Sequence, residues 1–420
     1  MKEIKSEKNE FLQNIRNTFE NFFGEDAKNK INLMNYLPED KWLEIKKVGL
    51  LLPFLAEKLG GHKPDQIELE ETLRIAGNYS VPTTLRTGIE GALVLQPLVA
   101  YATPELINEV LPLIFEGEGG GLGITEPETS GSAIAREMQS YYEVLDDNTI
   151  HVNAVKYWQG NSTSDFLLVA AKERINLKFV PKQYISCETI VSEGLKAVRY
   201  AVNSIDADMP KRYLIELSSH GGNSLREFQN IFIRSRLQLI GMTHGIMEYV
   251  DNNISKYIRN GIEFVEHEVN EIKKRHNASR VLYDYVCNNV SPSEPVSDKL
   301  LEANIVKSLG SEYTYEAAKI AQKLLGAKGF ESGHPMSNIA IDIRPFTIFE
   351  GNNEMLYADI FDIFSKANDK EKENGVRIDK TQTLYERLLS DSRYIAINEK
   401  FSNISSNITD FLKSHAITDI

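Results

Sequence analysis

The chain has 420 residues, enough for two or three domains at roughly 150 residues each. Lys and Arg number 47 against 60 Asp and Glu, and the formal charge of −13 argues against a nucleic-acid-wrapping surface, which needs clustered cations. Hydrophobic content of 42% and charged content of 25% suit a folded polypeptide. Cys187 and Cys287 are too few for a disulfide framework, lack CxxC spacing and read as packed thiols. The charged start MKEIKSEKNE has no apolar core of a leader, and no apolar run reaches the length that spans a bilayer. The expectation is a cytoplasmic protein.

Residues 1–118 read as an α-helical domain. Apolar residues recur at three- and four-residue steps from Phe11 to Phe23 and again from Trp42 to Leu59, where Gly60 and Gly61 supply a stop. A helix from about Pro104 to Phe115 has Thr103 as its N-cap. The texture changes at GEGGGLGITEPETSGS (117–132), and residues 119–222 read as a β domain. Strands are expected at 141–145, 149–158, 166–171, 177–181 and 211–217, where β-branched and aromatic residues alternate with polar ones as in half-buried antiparallel strands.

From Ser224 the helical period returns and holds for more than 60 residues. After SPSEPVSD (291–298) another helix is expected from about Lys299 to Leu325, and residues 223–366 form a helical bundle. Residues 367–420 open with the charged ANDKEKENGVRID (367–379), followed by amphipathic stretches at 381–389 and 404–415, a helical extension. The predicted fold class is α+β multidomain, with helices, then strands, then helices.

No GxGxxG opens a helix after a strand, and P-loop, HExxH and GxSxG are absent. The eight histidines show no pair at metal-ligand spacing. Three other segments stand out: GITEP (123–127), KYWQGN (156–161), and a C-terminal run comprising QKLLGAKGF (322–330) and IDIRPFTIFEGNNEML (341–356).

At these places the chain resembles the acyl-CoA dehydrogenases over roughly residues 10–365. That family carries a TEP turn, a Lys-x-Trp on a strand, a GGxGF turn and an EGT whose glutamate is the catalytic base. The resemblance implies an N-terminal helical bundle, a central antiparallel β-sheet or barrel-like domain, a C-terminal four-helix bundle and FAD. It makes Glu350 the base, which suits a carboxylate in the apolar sequence PFTIFEGNN. It assigns Thr125, Trp158, Phe264, Lys323, Gly326 and Asn352 to the cofactor, and Ser132, Arg236 and Gly351 to the substrate. Taken singly, Glu350 could merely cap a turn, Trp158 could be a core aromatic and Arg236 a solvated helix charge.

The sequence also departs from the family pattern. Gly160 stands where a hydroxyl residue bonds flavin, Gly261 where an arginine reaches the pyrophosphate of a neighbouring subunit, and Ile272 and Lys323 where glutamines are usual. Ala327 replaces the second glycine of the GG turn, and EGT reads EGN with Asn352. The leading expectation is flavin-dependent α,β-dehydrogenation of an acyl thioester, on CoA or on a carrier protein. An electron-accepting flavoprotein and a homodimer or homotetramer are the implied partners. The alternatives are a binding or scaffold subunit that has lost its cofactor and an oxygen-activating flavin monooxygenase relative.

Overall fold

A computed structural model describes residues 2–24, 37–127, 129, 137–161, 165–172, 175–218, 223–259, 261–331 and 333–360. Ser132 and the two stretches expected as a C-terminal helical extension lie outside the described residues.

The N-terminal part is helical. Helix α1 (Lys2–Phe23) buries Ile15, Phe19 and Phe22 against Trp42 and Ile45 of α2 (Glu39–Lys46) and Ile75 of α3 (Gln66–Tyr79). The Asp65 carboxylate caps α3 by accepting from the Glu68 amide at 3.2 Å, and it also pairs with Lys8 at 2.6 Å. The single helix expected from Trp42 to Leu59 is not formed. Helix α2 ends at Lys46, Gly49 turns the chain at φ +88°, and Pro53, which cannot donate, sits in a short 3-10 turn (Leu52–Phe54). Gly60 does end a turn, at φ +85°, but of a second 3-10 segment, Glu57–Leu59.

Helix α4 (Val81–Gly88) runs through a π-helical stretch, Ile89–Leu95, into α5 (Gln96–Tyr101). Helix α6 (Pro104–Glu116) starts at the Thr103 cap, whose side chain accepts from the Leu106 amide, and stops at Gly117 with φ +113°.

Among the described residues the middle part forms two four-stranded sheets and no closed barrel. One has the order β1 (Gly120–Gly123), β4 (Phe166–Ala171), β5 (Asn176–Pro181), β8 (Leu214–Ile215). The other has the order β2 (Tyr141–Val144), β3 (Thr149–Gln159), β7 (Ala201–Pro210), β6 (Ser186–Thr189). The sheets are not purely antiparallel, because β1 pairs with β4 in parallel. Glycine makes that pairing possible: a Cβ at Gly120 would lie 2.5 Å from the Phe166 ring, and one at Gly121 2.5 Å from the Gly160 carbonyl.

The expected strand 211–217 opens as a 3-10 turn, Lys211–Tyr213, following Pro210, and is a strand only at Leu214–Ile215. The long strand beside β3 is β7, whose Asn, Ser and Asp residues hide an in–out alternation that buries Ala201, Asn203, Ile205 and Met209. Cys187 sits exposed on β6 rather than packed; neither cysteine forms a disulfide.

The C-terminal part is built on three long helices, α7 (Ser224–Ile254), α8 (Glu263–Asn289) and α9 (Leu300–Leu324). The helical period running on from Ser224 therefore belongs to two helices, with a break that holds Gly261 at φ +80°. Short α10 (Pro335–Ile343) and a helical segment, 353–360, frame the turn that carries Glu350.

Candidate active site

Glu350 and Gly351 form a turn between a 3-10 segment, Arg344–Thr347, and the helix 353–360. Both residues are left-handed, with φ of +57° and +104°. For glutamate this conformation is costly, so the surroundings must impose it. Two cations do so. The Arg236 Nε donates to the Glu350 carbonyl at 2.8 Å, and Lys307 Nζ donates to the Gly351 carbonyl at 2.7 Å. Arg236 is steadied by the Asn304 Oδ1 at 2.7 Å. Lys307, fully buried on α9, also donates to the Asn353 Oδ1 at 2.8 Å. Asn353 in turn donates to Ser308 O and Glu312 Oε2. A Cβ on Gly351 would approach Leu356 at 3.0 Å and the Arg236 guanidinium at 3.2 Å, so this position suits glycine alone.

The Glu350 residue keeps some surface, but its Oε2 is sealed from solvent and has no hydrogen-bond partner. Burial pushes its carboxyl above the usual carboxylate range, and the Ser235 hydroxyl and the Arg236 and Lys307 cations only partly oppose this. Burial also lowers Lys307, to about 7, against the pull of Glu350. The result is a desolvated carboxyl on a fixed backbone, with a raised proton affinity and a free oxygen. That is what a general base needs.

A second group forms where the TEP turn meets β3. The Tyr157 amide donates to the Thr125 carbonyl at 2.8 Å, and Lys156 pairs with Glu126 at 2.7 Å in full burial. Glu126 also accepts from the Gln139 and Ser140 amides. Burial would raise its carboxyl, but these bonds and Lys156 hold it below the usual range. Burial brings Lys156 down to about 8. With the turn locked this way, Thr125 is exposed beside the end of β3, where a register shift turns Trp158 out at φ +59° with 53% of its surface exposed. The indole meets Tyr200 edge-on at 5.8 Å. Gly160 has a steric reason: a Cβ there would lie 2.5 Å from Ile89 and 2.9 Å from Val198.

The two groups are joined through α10. Its Asp342 accepts from the Leu195 amide at 2.6 Å, and its charge acts on Tyr200, the neighbour of Trp158. Burial raises Asp342 to about 6.

The remaining candidates sit apart from these contacts. Phe264 is 62% exposed at the start of α8. Lys323, exposed on α9, pairs with Glu268 of α8 at 2.6 Å. Gly326 has φ +57° with open space around it, and so has Gly261 at +80°. Ile272 is core, packed with Met247 and Val250. Asn352 is exposed and caps the helical segment 353–360, its Oδ1 accepting from the Glu354 amide at 2.9 Å. Lys307, Asn353 and the Glu126–Lys156 pair were not singled out in the sequence. The signal for Lys307 was its place at core spacing among the small residues Ala303, Asn304, Ser308 and Ser311 of α9. No cluster of three or more His, Cys, Asp or Glu among the described residues could hold a metal ion.

The pattern of an acyl-CoA dehydrogenase N-terminal domain matches residues 6–118, and that of the C-terminal domain matches residues 225–363. The chain belongs to the acyl-CoA dehydrogenase family. It is 22% identical to the rat (Rattus norvegicus) mitochondrial very long-chain specific acyl-CoA dehydrogenase over 377 residues, 83% of this chain and 56% of that one. The chain thus spans little more than half the length of that relative. Its fold is similar to that of butyryl-CoA dehydrogenase from Megasphaera elsdenii, with a TM-score of 0.74 at 16% identity, covering 85% of this chain and 98% of the other. It is equally similar to the prolyl acyl carrier protein oxidase AnaB, with a TM-score of 0.74 at 18% identity and the same coverage.

Proposed function

We propose that this chain dehydrogenates an acyl thioester between Cα and Cβ, with Glu350 as the base. The observation that carries this reading is the unpartnered, sealed Oε2 of Glu350 on a turn clamped by Arg236 and Lys307. Glu350 takes the Cα hydrogen as a proton, and the electron pair of that C–H bond becomes the new C=C bond. FAD, when bound, supplies the acceptor for the hydride leaving Cβ. The backbone amide of Glu350 is the donor assigned to the thioester oxygen, where charge develops as the proton leaves. Gly351, without a Cβ, lets the substrate approach that turn.

The residues fit a flavin at its ring end. Trp158 offers a half-exposed indole beside the exposed Thr125, and the Glu126–Lys156 pair holds both in place. The face carrying Phe264, Lys323 and Gly326 is where a second copy of the chain would complete the site, in a homodimer or homotetramer. Its exposed Phe264 and the fully exposed Phe330, at 96%, support that assembly. The substrate would be carried on CoA or on a carrier protein, in line with the two kinds of neighbour. Ser132 is kept as the pantetheine contact of this reading, and an electron-accepting flavoprotein as its oxidant. No helix among the described residues is long and apolar enough to cross a membrane, and a cytoplasmic location is part of the same proposal.

The test is flavin reduction under anaerobic conditions by butyryl, octanoyl and palmitoyl thioesters on CoA and on carrier protein. Glu350→Gln keeps the shape of the site but cannot accept the α-proton, so bleaching should slow by about 10²- to 10⁴-fold at unchanged flavin content. Equal rates in the two proteins would place the base elsewhere. A second reading, a binding subunit without cofactor, is favoured by the bond between Lys323 and Glu268 and by the bare Gly261. Purified protein that is colourless and cannot be reconstituted with FAD would select it.

A further inference from the structure

We propose that Lys307 is a positioning residue that aims Glu350; the inference rests on the reading of Glu350 as the base. Lys307 is fully buried on α9, and its ammonium reaches the turn through two bonds, to Gly351 O at 2.7 Å and Asn353 Oδ1 at 2.8 Å. Arg236, from α7, holds the preceding carbonyl, that of Glu350, at 2.8 Å. Successive carbonyls of a left-handed pair are therefore pinned from two different helices. The Arg236 bond fixes the peptide plane between Glu350 and Gly351 and the Lys307 bond fixes the next one, between Gly351 and Asn352, and together they hold the turn from which the Glu350 side chain leaves the backbone. Lys307 makes no bond to the carboxyl itself, so the oxygen that must accept a proton stays free.

A second effect is electrostatic. The charged groups that act on Lys307 are Glu350 on the turn, Arg236 from α7 and Glu312 farther along α9. Asp359, from the helix 353–360, acts on Arg236. Among these, Lys307 and Arg236 are the cations that oppose burial at Glu350. Arg236 stays protonated at any working pH. Lys307, lowered by burial to about 7, does not. The protonated amine favours the ionised base, because an opposite charge nearby lowers a carboxyl.

The experiment reads exchange of the Cα hydrogen of the acyl thioester for deuterium in D₂O, by mass spectrometry, from about pH 5 to about pH 9. Exchange needs the base but no net electron transfer. The probes are butyryl, octanoyl and palmitoyl thioesters on CoA and on carrier protein, with the full chain carrying its flavin. Lys307→Gln keeps a donor for the Gly351 carbonyl and removes the charge. Its acid limb should move up by about one pH unit or more, with flavin content and KM close to wild type. Lys307→Met removes the donor as well, and exchange should fall by about 10²-fold at every pH, as for a misaimed group. If Lys307→Met does not fold, the limb of Lys307→Gln decides alone. Wild-type rate and pH profile in Lys307→Gln, where Glu350→Gln has lost exchange, would overturn the role of Lys307. Unchanged exchange in Glu350→Gln would instead overturn the base itself.

Discussion

Lys156 and Lys307 are both fully buried, and burial lowers both, to about 8 and about 7. They are held in opposite ways. Lys156 is paired directly with Glu126, whose remaining capacity is filled by two backbone amides. Lys307 bonds only a carbonyl and an amide oxygen, and the carboxyl nearest in charge, Glu350, is left with a free Oε2. The first arrangement satisfies every charge and fixes two chain segments against each other. The second spends a buried cation on backbone geometry and leaves the acid unquenched. A closed ion pair marks scaffolding, and an open one marks a place where a proton can move.

The contrast breaks most sharply under truncation of the acids. Glu126→Ala strands the Lys156 charge and should cost about 3–5 kcal/mol, read by urea unfolding. Glu350→Gln removes an opposing charge but leaves every bond of Lys307 in place, so stability should change by far less. Equal losses in the two variants would erase the distinction.

Gly351→Ala tests the turn. The left-handed φ and the near contacts with Leu356 and Arg236 should cost about 1–3 kcal/mol, seen as a lower melting temperature.

The dependence of stability on pH separates the lysine charges from their contacts. The folded Lys307 sits near 7, below its ordinary 10.5. Between these values the unfolded chain holds the extra proton, so stability from this group rises with pH, by at most about 1.4 kcal/mol per unit. Lys307→Gln should flatten that rise in unfolding curves taken from neutral to alkaline pH. An unaltered slope would mean that Lys307 keeps an ordinary proton affinity in the fold.

The smallest effect is expected at Asn352. Losing its cap on the helical segment 353–360 should cost about 1 kcal/mol of thermal stability in Asn352→Ala. A collapse of flavin content in that variant would instead give Asn352 a role at the cofactor.

The order of helices, strands and helices was legible because residues such as Phe166–Ala171 and the Thr103–Pro104 start carry strong local signals. The run Trp42–Leu59 misled because apolar spacing continues across Gly49 and Pro53, where the backbone cannot remain helical. β7 was missed because Asn, Ser and Asp dilute a pattern that only pairing with β3 completes. Glu350 stood out through its motif. Lys307 did not, since a lysine in a helix ordinarily reads as a solvated charge, and its acceptors come from a distant turn. The Glu126–Lys156 pair was hidden for the same reason, although each half lay inside a segment that had been singled out.

The left-handed backbone at Glu350 bears on how this chain would drift. At φ +57° glycine and asparagine are more comfortable than glutamate. In a saturation library at position 350 sorted only for yield of folded protein, those two residues should therefore overtake the parent. Sorted for turnover, glutamate should hold. A lineage freed from its reaction would surrender this residue early, since mere folding gives no reason to retain it.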